Sequence, residues 1–296
     1  MRRVMSMNNQ EEKTLAVAFK EFMRIKQLNN ISPATVRFYN DSFRYFTEYI
    51  DENMDCSELN ANLILEYIEY LKSAKEGISN ISINSYLRGV RAIVYFCMEQ
   101  GYTSKFKISL IYAEKPLKET YTDLELEKLL KKPEIKKCSF AEYRNWVIVC
   151  YLLGTGNRRA TVCSIKIEDL DFESHDVQLK KVKNKKQYTI PLSKFLEKTL
   201  QEYLIYRKGN PDEYLFCSVY GQKLTEDGLN TCIEKHNKSR GVLKCGIHLF
   251  RHTFAKKWIL NRGDPFRLKA ILGHSTMAMV NEYVNMFGKD LQKDFD

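Results

Sequence analysis

Apolar residues in the first hundred positions recur at steps of three and four, the spacing that stacks side chains on one face of an α-helix. Leu15, Phe19, Phe22 and Ile25 form one such stripe. Val36, Tyr39, Phe43, Phe46 and Ile50 form a second behind Ser32-Pro33, where serine can accept from the open amides of a first turn and proline lacks an N–H that would have no partner. Residues 63–71 carry a third stripe, and Leu87, Val90, Val94 and Cys97 a fourth that Gly101 ends. One amphipathic face on each helix lets four of them close a small bundle. Over residues 103–119 the period is lost among Lys, Ser and Pro116, as in an exposed linker, which puts the boundary between two folding units near residue 113.

Thr122 and Glu125 then have the spacing of a capping box, and the helix they open cannot run past Pro133. Residues 140–153 follow as a helix whose stretch 146–153 is apolar on every face, the mark of a central core helix. Two short runs, 176–182 and 187–192, flank a polar connection at Lys183, Asn184 and Lys185 and read as a β-hairpin, where alone strands are expected. Helices resume over 193–206, 225–238 and 248–261; Asp264-Pro265 opens another that Gly273 stops, and 275–284 forms the last. The expected fold is mainly α with a small β-hairpin or sheet, the second domain being α+β. Its segments are a tail over 1–10, a helical domain over 11–102, a linker over 103–119 and a second domain over 120–296 that ends in a tail over 284–296.

The length of 296 residues agrees with two domains of roughly 100 to 200 residues each. With 44% hydrophobic and 12% aromatic residues the chain can bury a core, which excludes a disordered tail or a charged linker protein. The longest uncharged stretch, 145–157, is shorter than the roughly 18 apolar residues that cross a membrane, and the first ten residues hold no apolar signal core. Neither export nor membrane insertion is expected. Eight cysteines are scattered without a C-x-x-C pair, as in a protein kept reduced in the cytoplasm. Net charge changes the picture further, since +10 at pH 7 favours a polyanionic partner. Residues 1–113 hold 14 basic and 13 acidic side chains, net +1, so the remaining 33 and 24 put net +9 on residues 114–296. The positive field belongs to the second half.

Candidate chemistry lies in that half. His248 and Arg251, three apart on a helix, share a face and can point at one ligand, with Phe250, Phe254 and Trp258 turned to the core. Alone, the pair is also what a solvated polar stripe looks like. Arg158 follows Thr155-Gly156-Asn157 at the end of the core helix, where its guanidinium fork can hold two phosphate oxygens or can cap helix carbonyls. The hairpin carries Lys180, Lys181, Lys183, Lys185 and Lys186, a finger suited to a DNA groove and equally to solvent. Leu272-Gly273-His274 precedes Tyr283 by nine residues from the histidine; a lone tyrosine among eighteen is ordinarily packing, and only company makes it a nucleophile.

Together these residues supply that company. Arg158 in T-G-x-R, Lys183 in a hairpin ending Ile-Pro-Leu, His248-x-x-Arg251, Leu-Gly-His274 and Tyr283 resemble the tyrosine recombinases, or phage integrase family, over nearly the whole chain. The family's lysine stands eight residues before the proline of V/I-P-L, which selects Lys183 ahead of Pro191, and Arg158 rather than Arg159 keeps the one-residue gap after Thr-Gly. The resemblance implies a core-binding domain and a catalytic domain that form a C-shaped clamp on double-stranded DNA. It implies cutting and rejoining through a 3′-phosphotyrosyl link on Tyr283, with His248 as base, Arg158 and Arg251 on the non-bridging oxygens, Lys183 as acid and His274 as a further donor. His252 is read as supporting, mainly by packing. Integration or excision of a mobile element, a tetramer on paired sites and an accessory directionality factor are implied as well, with neither cofactor nor metal. The exchanged tails of relatives imply that Phe287, Leu291 and Phe295 dock on a neighbouring protomer.

A phenol suits this chemistry because its phosphoester is about as reactive as the one broken, so the step can run backward against a new 5′-hydroxyl. With a free pKa of about 10 it needs a base and a cationic field to attack at neutral pH. Paired carboxylates and a G-x-x-x-x-G-K-[ST] loop are absent, and Cys245 with His248 lacks two further ligands at zinc spacing. Two departures from the family stand out: Thr161 replaces the glutamate usual three residues after the first arginine, and only about ten residues precede the first expected helix, too few for an arm-binding domain. Two other readings remain open at this point, a type IB topoisomerase and a catalytically weak or inactive DNA-binding accessory protein of the same fold.

Overall fold

The computed structural model describes residues 13–114, 118–179 and 188–287. It falls into two compact units, Met1–Pro116 and Leu117–Asp296. The first holds α1 (Leu15–Leu28), α2 (Pro33–Thr47), α3 (Ala61–Ala74) and α4 (Asn80–Glu99). Each helix opens on a side-chain cap: Thr14, Ser32, Asn60 and Ser79 accept from the amides of Val17, Thr35, Leu63 and Ser82. These bonds satisfy first-turn N–H groups that have no partner within the helix. Phe22, Phe46, Tyr67, Leu87, Val90 and Val94 fill the bundle's core, and the rings of Phe19 and Phe43 stack at 3.9 Å. The face of α1 differs from the expected stripe, because Ile25 is exposed and Ala18 and Met23 are buried in its place. Small and flexible residues carry little signal in a pattern read from large side chains. Ile50 is buried although α2 ends before it, at Thr47.

The second unit runs α5 (Asp123–Leu130), α6 (Phe140–Thr155), α7 (Arg159–Ser164), β1 (Leu170–Asp171), β2 (Asp176–Leu179), β3 (Tyr188–Pro191), α8 (Lys194–Arg207), α9 (Glu226–Ser239), α10 (Ile247–Leu260), α11 (Pro265–Leu272) and α12 (Ala278–Phe287). Reciprocal capping boxes open α5 at Thr122/Glu125 and α6 at Ser139/Glu142. Helix α6 is buried from Tyr143 through Leu152 and packs against α5, α8, α9 and α10, as its all-round apolarity requires. The sheet is antiparallel in the order β1-β2-β3, with Val177 opposite Ile190 and both buried. Pro191 ends the edge strand β3, where a missing N–H costs no ladder bond. Sequence periodicity missed β1 and α7, whose two and six residues are too short to show a period. Helix α12 begins three residues later than the expected 275, its first turn closed by Val280 and Asn281 donating to the Met277 carbonyl. The lysines at 180, 181, 183, 185 and 186, the tail over 1–10, and Leu291 and Phe295 lie outside the described residues.

Candidate active site

Two helix endings build the frame of the site. Gly156, at φ 62°, turns the chain out of α6, and an added Cβ there would lie 2.6 Å from Phe254 and 2.8 Å from Leu272. Gly273, at φ 59°, turns it out of α11. At that second turn Gly273 N donates to Ala270 O and His274 N to Lys269 O, the paired bonds of a Schellman motif. These two bonds leave the carbonyls of Leu272 and Gly273 for side chains. Arg251 Nη2 donates to Leu272 O at 2.8 Å and Arg158 Nη2 to Gly273 O at 3.1 Å, while Arg251 Nη1 reaches Gly156 O at 2.8 Å. The Leu-Gly-His turn thus fixes both guanidiniums. Arg158 does cap a helix end, but that of α11 rather than of the α6 helix it follows.

Arg251 is buried at 4% exposure on α10, and its Nη2 also lies 2.8 Å from His274 Nε2. A guanidinium only donates, so that imidazole nitrogen accepts and the proton of neutral His274 sits on Nδ1. His274 Nδ1 is buried without a protein acceptor among the described residues. An unpaired buried donor costs about 1–3 kcal/mol, which a ligand that accepts its bond can recover. Burial, reinforced by Arg251, Arg158 and Lys118, pushes the His274 pKa down to about 4.

Tyr283 on α12 is 3% exposed and stands among these groups. Its hydroxyl is 2.8 Å from His252 Nδ1, and its ring lies nearly parallel to that of His274 at 6.2 Å between centroids. Burial, then Lys118, His248 and Arg251, lower the His252 pKa to about 4, so this imidazole is neutral at pH 7. In its Nε2–H tautomer Nδ1 accepts the phenol's proton. His248 lies one turn back on α10, its ring centroid 6.4 Å from that of His252, and is exposed. Partial desolvation and Arg251, Arg159 and Arg158 lower its pKa too. With His252, Lys118, Arg159 and Cys245 it lines a hollow of about 540 Å³.

Six of the seven residues singled out in the sequence can be located: Arg158, His248, Arg251, His252, His274 and Tyr283. Lys183 lies outside the described residues. His252, expected to support mainly by packing, also stands on the phenol at 2.8 Å, and both it and His248 line the hollow. Helical spacing puts positions 248 and 252 on one face, and only the docking of α12 distinguishes them. Lys118 was missed altogether. It falls in the stretch read as linker, yet its Nζ lies 4.4 Å from the centroid of the Tyr283 ring and 2.8 Å from Glu282 Oε2. No signal in the sequence joins residues 164 apart. At the departure noted above, Thr161 is buried, and no carboxylate among the described residues stands within ion-pair distance of Arg158.

The two depressed imidazoles tie stability to pH. An unfolded histidine titrates near 6.5, so between pH 6.5 and 4 the unfolded chain binds protons that folded His252 and His274 refuse. Stability is full above that window and falls as pH drops through it, by order 3 kcal/mol for the buried His274. The expected melting temperature declines steadily from pH 6.5 to 4.5, with a smaller slope in His274→Gln. A flat profile in both proteins contradicts it.

Comparison with known proteins bears on the whole chain. The Phage integrase family model matches residues 119–289 and the Phage integrase SAM-like domain model residues 14–112. The tyrosine recombinase XerA of Pyrococcus horikoshii is 30% identical over 293 residues, 97% of this chain and 95% of that protein. The tyrosine recombinase XerC of Staphylococcus aureus is 24% identical, over 93% of each chain. Among solved structures, the Tn1549 transposon integrase in complex with transposon right end DNA aligns at a TM-score of 0.72 and 19% identity, over 95% of this chain and 98% of that one. A lambda integrase dimer bound to a core site aligns at 0.73 and 15%, over 92% and 95%. These structural likenesses show the fold. With its own family model matched across residues 119–289 and the SAM-like model across 14–112, the chain belongs to the phage integrase family.

Proposed function

We propose that this protein is a site-specific DNA recombinase that cuts and rejoins double-stranded DNA through a 3′-phosphotyrosyl intermediate on Tyr283. The observation that carries this reading is the phenol held on a neutral imidazole, with two guanidiniums and a second imidazole anchored on the adjoining turn. The Tyr283 oxygen bonds to phosphorus, the bond to the 5′-oxygen breaks, and the phenol's proton passes to His252. By family resemblance Lys183 protonates the departing 5′-oxygen. One phosphoester replaces another, so the step needs no nucleotide to drive it, and reversal against a different 5′-hydroxyl joins a new pair of strands.

As phosphorus becomes five-coordinate its non-bridging oxygens gain charge, and fixed donors there contribute roughly 3–4 kcal/mol each. Arg158 and Arg251 fill that role on a rigid base, and the unpaired Nδ1–H of His274 supplies a further bond. His248, at the open side of the site, passes the proton between His252 and solvent. The helical first domain, 11–102, grips DNA beside the cleaved bond, and the second, 120–296, holds the chemistry. Reciprocal exchange breaks four strands, one tyrosine each, which supports a tetramer on two paired sites, with the tail over 284–296 docked on a neighbour. An accessory directionality factor is the further partner this reading includes, and movement of a mobile element its natural task.

Incubation with a library of nicked duplexes, followed by denaturation and sequencing of the DNA that stays attached, tests the reading. The expected product is a covalent adduct at Tyr283 on a narrow set of sequences. Salt-dependent binding with no adduct on either nicked or supercoiled DNA supports an inactive accessory protein instead.

A further inference from the structure

Lys118 enters the catalytic unit ahead of its first helix and lies against the residues of α12. Its ammonium sits over the Tyr283 ring at 4.4 Å and pairs with Glu282 Oε2 at 2.8 Å, so one cation contacts two successive residues of that helix. The Lys118 side chain is 27% exposed and that of Glu282 45%, so the pair bridges a half-buried cation and an exposed carboxylate at the rim of the site. Among the described residues of that helix, Val280 and Tyr283 are buried and pack with Ala255, Ile259, Leu268 and Leu272.

We propose that Lys118 is a positioning residue for the Tyr283 phenol, clamping α12 through Glu282 and through the face of the aromatic ring so that the hydroxyl stays on His252. The proposal rests on the reading of Tyr283 as nucleophile. Its physical basis is that apolar packing is non-directional and lets a ten-residue helix slide or rotate, whereas an ion pair on one side chain and a cation over the next ring fix both depth and rotation. A displacement of about 1 Å at a nucleophile is enough to cost two orders of magnitude in rate. Lys118 touches no reacting atom. It acts on the attack by restricting where the phenol stands.

Two measurements on the full chain test this, both with Lys118→Ala, Lys118→Arg and Glu282→Gln. In DNA-free protein, deuterium exchange of the amides over residues 278–287 is expected to quicken roughly five- to tenfold in Lys118→Ala, as it does in Glu282→Gln to a smaller degree, and to stay near wild type in Lys118→Arg. On a trapped nicked substrate, single-turnover cleavage by Lys118→Ala is expected to slow by a similar or larger factor while DNA affinity changes less than about twofold, with Lys118→Arg restoring most of the rate. Unchanged exchange in both Lys118→Ala and Glu282→Gln overturns the clamp. So does a cleavage loss that appears wholly as weaker DNA binding, which makes Lys118 a phosphate contact. If wild-type protein forms no adduct but the exchange response holds, the recombinase reading fails and the clamp stands.

Discussion

Tyr283→Phe is expected to abolish the covalent protein–DNA adduct and strand exchange while leaving fold and DNA affinity close to wild type. The ring remains, so contacts with His274, Lys118 and the α10 face survive, and the loss to stability is that of one hydrogen bond to His252, about 1 kcal/mol. The loss to chemistry is of another order. Removing a nucleophile from a set of groups that act as a unit costs at least about 10⁴-fold, because no other hydroxyl occupies its place. Denaturing gels on a nicked substrate measure the adduct, and gel shift at fixed salt measures affinity. An undiminished adduct from the phenylalanine protein would assign the nucleophile elsewhere.

Arg251→Ala is expected to damage both folding and chemistry, in contrast to Arg158→Ala. Arg251 is buried and ties Gly156 O, Leu272 O and His274 Nε2 together, so its removal leaves buried acceptors unpaired and costs about 2–4 kcal/mol. Arg158 is half-buried and holds the single carbonyl of Gly273, so its truncation costs about 1 kcal/mol or less while cleavage still falls roughly 10²- to 10³-fold. Arg251→Lys rescues little, since one ammonium cannot span acceptors that a planar fork bridges. Chemical denaturation gives the stability difference and single-turnover cleavage the catalytic one. Equal stability of the two alanine proteins would refute the structural part of this assignment.

Helices of the catalytic unit were readable because their signals are local. Thr122 with Glu125, Asp264 with Pro265, and Gly273 act within one turn of their own chain, and α6 announces its burial by being apolar on every side. The spacing of His248 from Arg251 and the turn at His274 were legible for the same reason. What α1 buries was partly misread, since Ala18 and Met23 take a face that Ile25 was expected to share. The short α7 and β1 carry too few residues for any period to emerge.

From the sequence alone came the residue types of the site and the local turns that present them, because capping, periodicity and helix termination depend on neighbours within a few positions. Which imidazole meets the phenol, which carbonyls hold the two guanidiniums, and that Lys118 lies over the Tyr283 ring were decided only by the folded chain. Those pairings join α10, α11, α12 and the segment before α5 across long separations in sequence. Their partners are selected by how the helices pack, a property of the whole unit that no local spacing encodes.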